Sequence, residues 1–514
     1  MALPSAKPLS KTLLTTLLVA SPLWLLGCAV VPPAAQVSAP AASQWYSPLP
    51  VSADSATGTA ATVTRLPHQG SLTALNQWWQ SLGDPLLVEL ISSAQAVSPT
   101  LTAASSRLQQ ARSAGVAAGA ALLPNVSAAA HASRGVPQLS IPAIPLATSS
   151  QVGLQAGWEL DLWGGGNRAA SDAALARLAG SQALWHEARV SVAAEVANSY
   201  LNLRSCEQLL AVAREDATSR GETSRLTGLT AEAGFTAPAN AALARASAAQ
   251  GQSNLSLQRT QCDVQVKALV ALTAMEEPIL RQKMAVTGVI IGNIAIKSGV
   301  NSAAMPLLPA VPSVPAELLT QRPDVFAAER EVTAASGDVG SAQAARYPRL
   351  SLSGSVAAAS LKTGGISING TTWAIGPLAL TLPLFDGGQR AAAVDVANAR
   401  YDDAVATYRA KVRNAVREVE EALLNLQSTA ERSEDAKIAT EGYSAAFNAA
   451  EARYRSGLGG LSELEDTRRT ALAAKTALLN LQRERSAAWI ALYRAVGGGW
   501  ERTNAAANHL AAAK

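Results

Sequence analysis

The chain has 514 residues, 48% of them apolar and only 16% charged, with 42 basic against 38 acidic side chains and a formal net charge of +4. This balance excludes a disordered chain. With no basic run and only 4% aromatics, it also offers no footing for a nucleic-acid partner. Alanine makes up about a fifth of the residues, which favours long helices packed at close range.

At the N-terminus, Lys7 and Lys11 precede an apolar stretch over 13–26, broken only by Thr15, Thr16, Ser21 and Pro22. A basic lead followed by an apolar run too short for a membrane span reads as an export signal. It ends in Leu25-Leu26-Gly27-Cys28, which resembles a bacterial lipobox, where the cysteine becomes the first mature residue and carries lipid. The alternative is a plain secretory signal with an incidental cysteine. Residues 1–27 are then a lipoprotein signal peptide. Residues 28–71, rich in Pro, Ala, Ser and Thr, are expected to form a lipid-anchored flexible tether. No later stretch reaches 18 uninterrupted apolar residues, so a membrane role for the mature chain needs β-strands.

The chain repeats itself. Leu123-Pro124-Asn125-Val126-Ser127 echoes Tyr347-Pro348-Arg349-Leu350-Ser351. Trp163-Gly164-Gly165-Gly166-Asn167-Arg168 echoes Phe385-Asp386-Gly387-Gly388-Gln389-Arg390, and Leu255-Ser256-Leu257-Gln258-Arg259 echoes Leu479-Asn480-Leu481-Gln482-Arg483. The offset drifts only from 222 to 224, which marks two copies of one unit.

Within each copy the periodicity switches. Val152, Leu154, Ala156, Trp158, Leu160 and Leu162 alternate strictly with Gln151, Gly153, Gln155, Gly157, Glu159 and Asp161, the pattern of a strand long enough to cross a bilayer when tilted. In the second copy Leu378, Leu380, Leu382 and Leu384 alternate with Ala379, Thr381, Pro383 and Phe385. Earlier strands are expected at about 125–134 and 349–360, with loops at 135–150 and 361–371, so each copy holds a hairpin. Trp158, Trp163 and Trp373 suit lipid–water boundaries; a soluble, half-buried sheet is the alternative.

Long helical patterns follow each hairpin, from Arg168 to Gly234 and from Arg390 to Gly457, each about 100 Å if unbroken. Each turns at its glycine and returns as a second helix. Four strands cannot close a membrane barrel, and lipid tolerates no open sheet edge. If the strands span the membrane, several chains must share one barrel.

These features resemble the outer-membrane factor family, the TolC-like exit ducts of tripartite efflux and secretion machines. They are closest to the lipoprotein branch serving resistance-nodulation-division (RND) pumps, the NodT or OprM-like group. The resemblance rests on Trp78-Trp79-Gln80-Ser81-Leu82-Gly83-Asp84-Pro85-Leu86-Leu87, on Trp158-Glu159-Leu160-Asp161-Leu162-Trp163-Gly164, on Gln321-Arg322-Pro323-Asp324-Val325 with Ala328-Glu329, and on Tyr454-Arg455-Ser456-Gly457. It implies a mixed α and β membrane protein, a homotrimer whose twelve-stranded β-barrel, four strands per chain, continues into a periplasmic α-helical barrel with a closable tip. The partners it implies are a periplasmic adaptor (membrane fusion) protein, an inner-membrane RND-type pump and outer-membrane lipid.

The resemblance also places a gate at the helix turns, with Tyr454, Gly457, Leu458, Glu463 and Asp466 lining or locking it and Asn240 at the matching place in the first copy. Related ducts can carry an arginine in the turn where this chain has Gly459-Gly460. The tip is therefore expected to be held by hydrogen bonds and by packing of Leu458 and Leu461 more than by ion pairs. For Glu463 and Asp466 the plain alternative is a solvated helix face.

Beyond Cys28 only Cys206 and Cys262 remain, and their midpoint is Gly234, the expected turn. In an antiparallel helix pair they stand level, placed for a disulfide in an oxidising periplasm, with two buried thiols as the alternative. Four scattered histidines lack metal-ligand spacing, and no nucleophile stands beside a base. No enzyme activity, metal or cofactor is expected.

The expected organisation is a first repeat over 72–280, a connector over 281–316, a second repeat over 317–500 and a tail over 501–514. The hairpins fall at about 125–163 and 349–386, and the helical turns near 234 and 457. The expected function is passive conduction of drugs or other small toxic compounds out of the cell. A type I protein-secretion duct and a lipid-anchored helical scaffold are the alternatives.

Overall fold

The computed structural model describes residues 31–41, 44–47, 79–80, 83–136, 146–161, 165–285, 322–498 and 500. Cys28, Trp163, the signal peptide, most of the connector and the tail lie outside these described residues. Among the described residues the principal elements follow the duplicated order: α1 (Pro85–Val97), α2 (Pro99–Ala120), β1 (Asn125–Gly135), β2 (Ala147–Leu160), α3 (Asn167–Glu232), α4 (Pro238–Thr273), α5 (Pro323–Ala344), β3 (Arg349–Thr363), β4 (Ile366–Thr381), α6 (Gln389–Arg455) and α7 (Leu461–Ala495). The long helices hold 66 and 67 residues, as the pattern predicts. The two copies do not form two bodies. Each contributes to both compact units, one of 1–38, 108–181 and 327–408, the other of 39–107, 182–326 and 409–514.

The first unit carries one antiparallel sheet in the order β1-β2-β3-β4. β2 of the first copy pairs with β3 of the second, Val152 opposite Ala358 and Trp158 opposite Leu352. The second hairpin is tighter than expected. Residues 361–371 are not a loop: β3 runs to Thr363, β4 starts at Ile366, and only Gly364-Gly365 turns the chain, with φ of 56° and 85°. Two consecutive left-handed residues suit the twist of a two-residue hairpin, and glycine adopts them at no steric cost. The last strand is correspondingly displaced, so Leu382 and Leu384 fall beyond its end. Pro377, lacking an N–H, lies at a bulge between the Leu352 and Gly354 pairings. Beneath the sheet, α3 and α5 meet through small residues: a Cβ on Gly337 would stand 2.9 Å from the Ala169 carbonyl oxygen and 3.1 Å from the Ala173 Cβ.

In the second unit, Trp79, Leu87, Leu90, Ile91, Tyr200, Leu203, Leu269, Leu280 and Tyr493 form the largest core. Asp84 caps α1 through the amides of Leu86 and Leu87 and accepts a 2.6 Å bond from the Tyr200 hydroxyl. Pro85 fills the first helical position, where no amide partner is required. Thus the Gly83-Asp84-Pro85 marker is a helix start tied to the core.

The expected flexible tether is corrected in part. Residues 31–38 pack within the first unit, where Ser336, Tyr401 and Thr333 bond to their carbonyls. In the second unit, Trp45 is buried against Val419, Leu423 and Leu492, and the Glu420 carboxylate accepts the amides of Tyr46 and Ser47 at 2.7 and 2.8 Å. A proline- and alanine-rich composition reads as flexible only until carbonyl partners and an apolar seat are supplied.

Candidate functional site

The register sorts the sheet into two faces. One carries Val126, Val152, Leu154, Trp158, Leu352, Val356, Trp373, Ile375, Leu378 and Leu380; the other carries Ser127, His131, Gln151, Gln155, Glu159, Ser351, Ser355 and Thr372. The apolar face is open: Trp373 is 75% and Ile375 82% exposed in the single chain. A contiguous apolar surface of this kind in one chain has to meet lipid or protein. β1 and β4 are edges that no strand among the described residues pairs.

In the second unit, the helix turns repeat one geometry. Gly234 and Gly457 have φ of 77° and 76°. The amide of Phe235 reaches the Thr230 carbonyl, and that of Leu458 the Arg453 carbonyl, both at 2.8 Å. Such a left-handed glycine closes a helix by satisfying its last carbonyls. Tyr454 turns inward from its helix end: its hydroxyl lies 2.5 Å from Thr227 Oγ1, and its ring packs with Phe447 against Ala244, Leu461 and Leu464. Leu461 is buried, whereas the Leu458 side chain is 77% exposed. It sits past the left-handed glycine, where the chain leaves the helix pair. Glu463 accepts from Arg453 at 2.9 Å, Asp466 from Arg469 at 2.6 Å, and Asn240 donates to Thr236 at 3.2 Å.

Within the chain, ion pairs also join the helices behind these turns, and the most buried of them involve residues that sequence reasoning missed. Glu465 accepts from Arg220 and Ser247, each at 2.9 Å, and pairs with Arg468. Arg220 also forks onto Asp216 at 2.9 Å. Arg468, only 2% exposed, donates to Ser219 at 3.2 Å and Thr223 at 3.0 Å. Two arginines and two carboxylates thus join the first helical hairpin to the second in a neutral, largely buried cluster. The available signal was opposite charges at helical spacing, Asp216/Arg220 and Glu465/Arg468.

A second polar centre surrounds the Arg-Pro-Asp segment. Arg322 holds Asp324 at 2.9 Å through two nitrogens, Glu418 at 2.7 Å and the Ala495 carbonyl at 2.9 Å. Burial opposes the charge on Asp324, but these hydrogen bonds from Arg322 hold its pKa below the usual carboxylate range. Glu187 lies in the same field. Burial, then the negative charges of Asp324 and Glu418, push it up to about 7 despite Arg322 and Arg494. On the first helical hairpin, Cys206 and Cys262 are joined as a disulfide with 5.5 Å between Cα atoms. Among the described residues no cluster of His, Cys, Asp and Glu is suited to hold a metal, and no helix is long and apolar enough to cross a membrane.

These elements agree with known proteins. Residues 90–275 and 314–498 match the outer membrane efflux protein family, one segment per copy of the repeat. The chain is 32% identical to the pyoverdine export outer membrane protein OpmQ of Pseudomonas putida, over 93% of this chain and 96% of that one. It is 29% identical to the outer membrane protein OprJ of Pseudomonas aeruginosa, over 93% and 94%. The crystal structure of the outer membrane protein VceC of Vibrio cholerae superposes with a TM-score of 0.71 at 27% identity, over 85% of this chain and all of that one. With two matched segments spanning most of its length, a two-faced sheet and paired long helices, the chain belongs to the outer membrane efflux protein family.

Proposed function

We propose that three copies of this chain assemble into the outer-membrane exit duct of a tripartite efflux pump. The duct passively conducts drugs or other small toxic compounds delivered by an inner-membrane RND-type pump through a periplasmic adaptor. The observation that carries the assembly is the sheet with one apolar face, one polar face and two unpaired edges. Lipid forbids such edges, and the smallest membrane barrels need eight strands. Neighbouring copies then cover β1 and β4, the apolar face meets lipid and the polar face lines the lumen. Family membership supports efflux over a lipid-anchored scaffold, and the pyoverdine export protein among its relatives supports small cargo.

The same reading puts the closable tip at the turns of Gly234 and Gly457, with Tyr454, Leu458, Glu463, Asp466 and Asn240 at or beside the constriction. Exposed Leu458 is then available to a neighbouring copy. Glu463 and Asp466 act as acidic rings only in part, since each already has an arginine partner and exposed pairs of this kind are worth about 0–1 kcal/mol. Cys28 carries the lipid that anchors the mature chain to the outer membrane.

Growth inhibition by a panel of antibiotics, dyes and solvents tests the reading in a strain lacking the gene, with and without its restoration. Sensitisation reversed by the gene is expected. An unchanged panel together with a secreted protein missing from the medium assigns the duct to protein secretion. A band resistant to SDS that falls to monomer size on boiling is expected of the trimer; a monomer in both lanes refutes it. Palmitate labelling lost in Cys28→Ala tests the anchor.

A further inference from the structure

The duplicated unit presents related helix pairs twice, yet the chain has one N-terminal segment to seat. Residues 31–37 read Val-Pro-Pro-Ala-Ala-Gln-Val, and three successive carbonyls each accept one hydroxyl. Ser336 Oγ donates to Pro33 O at 2.6 Å, Tyr401 OH to Ala34 O at 2.8 Å and Thr333 Oγ1 to Ala35 O at 3.0 Å. Val37 packs with Tyr401, Val405 and Tyr408 against Val332, Ala335 and Ala404. Pro32 lies over Gly340, where a Cβ would already touch its ring at 3.5 Å. Pro32 and Pro33 have no N–H to give, so ladder pairing would be incomplete there. A proline-rich segment held through its carbonyls in a tyrosine-lined groove uses the physics of polyproline recognition.

The repeat supplies an internal comparison. At the offset of 224 that relates Tyr347 to Leu123, the counterparts of Thr333, Ser336 and Gly340 are Gln109, Arg112 and Val116. At the offset of 222 that relates Arg390 to Arg168, the counterpart of Tyr401 is Ala179. None of the first-copy residues offers a hydroxyl, and Val116 adds bulk at the place where Pro32 passes in the second copy.

We propose that the α5–α6 groove of the second copy is the dedicated seat of the chain's own Pro-Pro segment, selected over its first-copy counterpart by the three hydroxyls, and that this seat limits where the mature N-terminus can lie. Cys28 is four residues before Pro32, a reach of at most about 14 Å. Gly340 is four residues before the end of α5, about 6 Å along the helix and close to the start of β3. A lipid on Cys28 is thereby kept at the strand end of the helix pair. Only this consequence rests on the proposed acylation.

The test is cleavage of the full chain in detergent by elastase, which cuts after small apolar residues such as Ala34, Ala35 and Val37. Initial rates and cut sites are read by intact mass spectrometry. The triple variant Ser336→Ala, Thr333→Val, Tyr401→Phe is expected to be cut between 34 and 38 at least tenfold faster than the parent, with other sites unchanged. Rates within twofold of each other overturn the proposal. Should the triple variant lose its helical circular dichroism, Tyr401→Phe alone is used; an increase of threefold or more is expected and no increase overturns the seat. Palmitate labelling is read in parallel. Absent labelling with the rate increase intact rejects only the lipid reading, and normal labelling with unchanged rates rejects the strap.

Discussion

Replacing Glu465 by Gln breaks the charge balance of the cluster that joins the two helical hairpins. In the parent, Arg220 and Arg468 are balanced by Asp216 and Glu465, and all four side chains are 2–14% exposed. The substitution leaves Asp216 as the one carboxylate of the four-member cluster and Arg468 with the Ser219 and Thr223 hydroxyls. Breaking a buried pair from one side costs about 3–5 kcal/mol. The retained amide oxygen offsets part of that, so about 2–3 kcal/mol is expected. The loss is local, and hydrogen exchange of amides around 216–227 and 461–470 reads it as lowered opening free energy relative to the rest of the same helices. In Glu465→Leu with Arg468→Leu together, Arg220 keeps Asp216 and no unpaired charge is left. The double variant should therefore lose less than the sum of its single substitutions by at least about 1.5 kcal/mol. Additive losses, or a Glu465→Gln effect below about 0.5 kcal/mol, refute the view that this cluster fastens the hairpins.

Glu187 gives a pH dependence of definite sign. Its folded pKa of about 7 lies above the ordinary 4.5, so the folded chain binds the proton more tightly. The stabilisation is complete below pH 4.5, declines as pH rises toward 7 and is gone above it, at most about 3 kcal/mol in all. Glu187→Gln should match the parent near pH 4.5 and exceed it at pH 8; equal denaturation midpoints at both values refute the placement. Reducing the Cys206–Cys262 bond, which closes a loop of 56-residue separation, should lower stability by about 4 kcal/mol on the chain-entropy account, seen as an earlier thermal transition in reductant but not in Cys206→Ser with Cys262→Ser. Gly337→Val places side-chain atoms where even a Cβ meets the Ala169 carbonyl oxygen at 2.9 Å. It should cost about 1–3 kcal/mol by thermal denaturation, and an unchanged transition would show that α3 and α5 separate freely there.

The periodicities alone determined a good deal. Strict alternation over 151–160 marks a strand with two unlike faces, and the long patterns ending at Gly234 and Gly457 bound their helices within two residues, because period and left-handed glycine are local properties of the chain. The repeat offset and the position of Gly234 between Cys206 and Cys262 likewise needed no coordinates. The errors came where composition stood in for partners. Gly364-Gly365 within a glycine- and serine-rich run looked like loop, although two left-handed residues are what a tight hairpin requires. The segment 31–41 looked free, although its carbonyls are claimed by hydroxyls about 300 residues away or more.

Tertiary structure alone decided which charges matter. Glu463 and Asp466 stand beside the turn and are the more conspicuous, but their pairs are exposed. Glu465 and Arg468, on the same helix, meet Arg220, Ser219 and Thr223 across 245–249 residues of sequence. A charge on an amphipathic helix has the same local pattern whether it faces water or another hairpin. Its burial and its partner are set by how the helices pack, and that is written in no window of the sequence short enough to show a period.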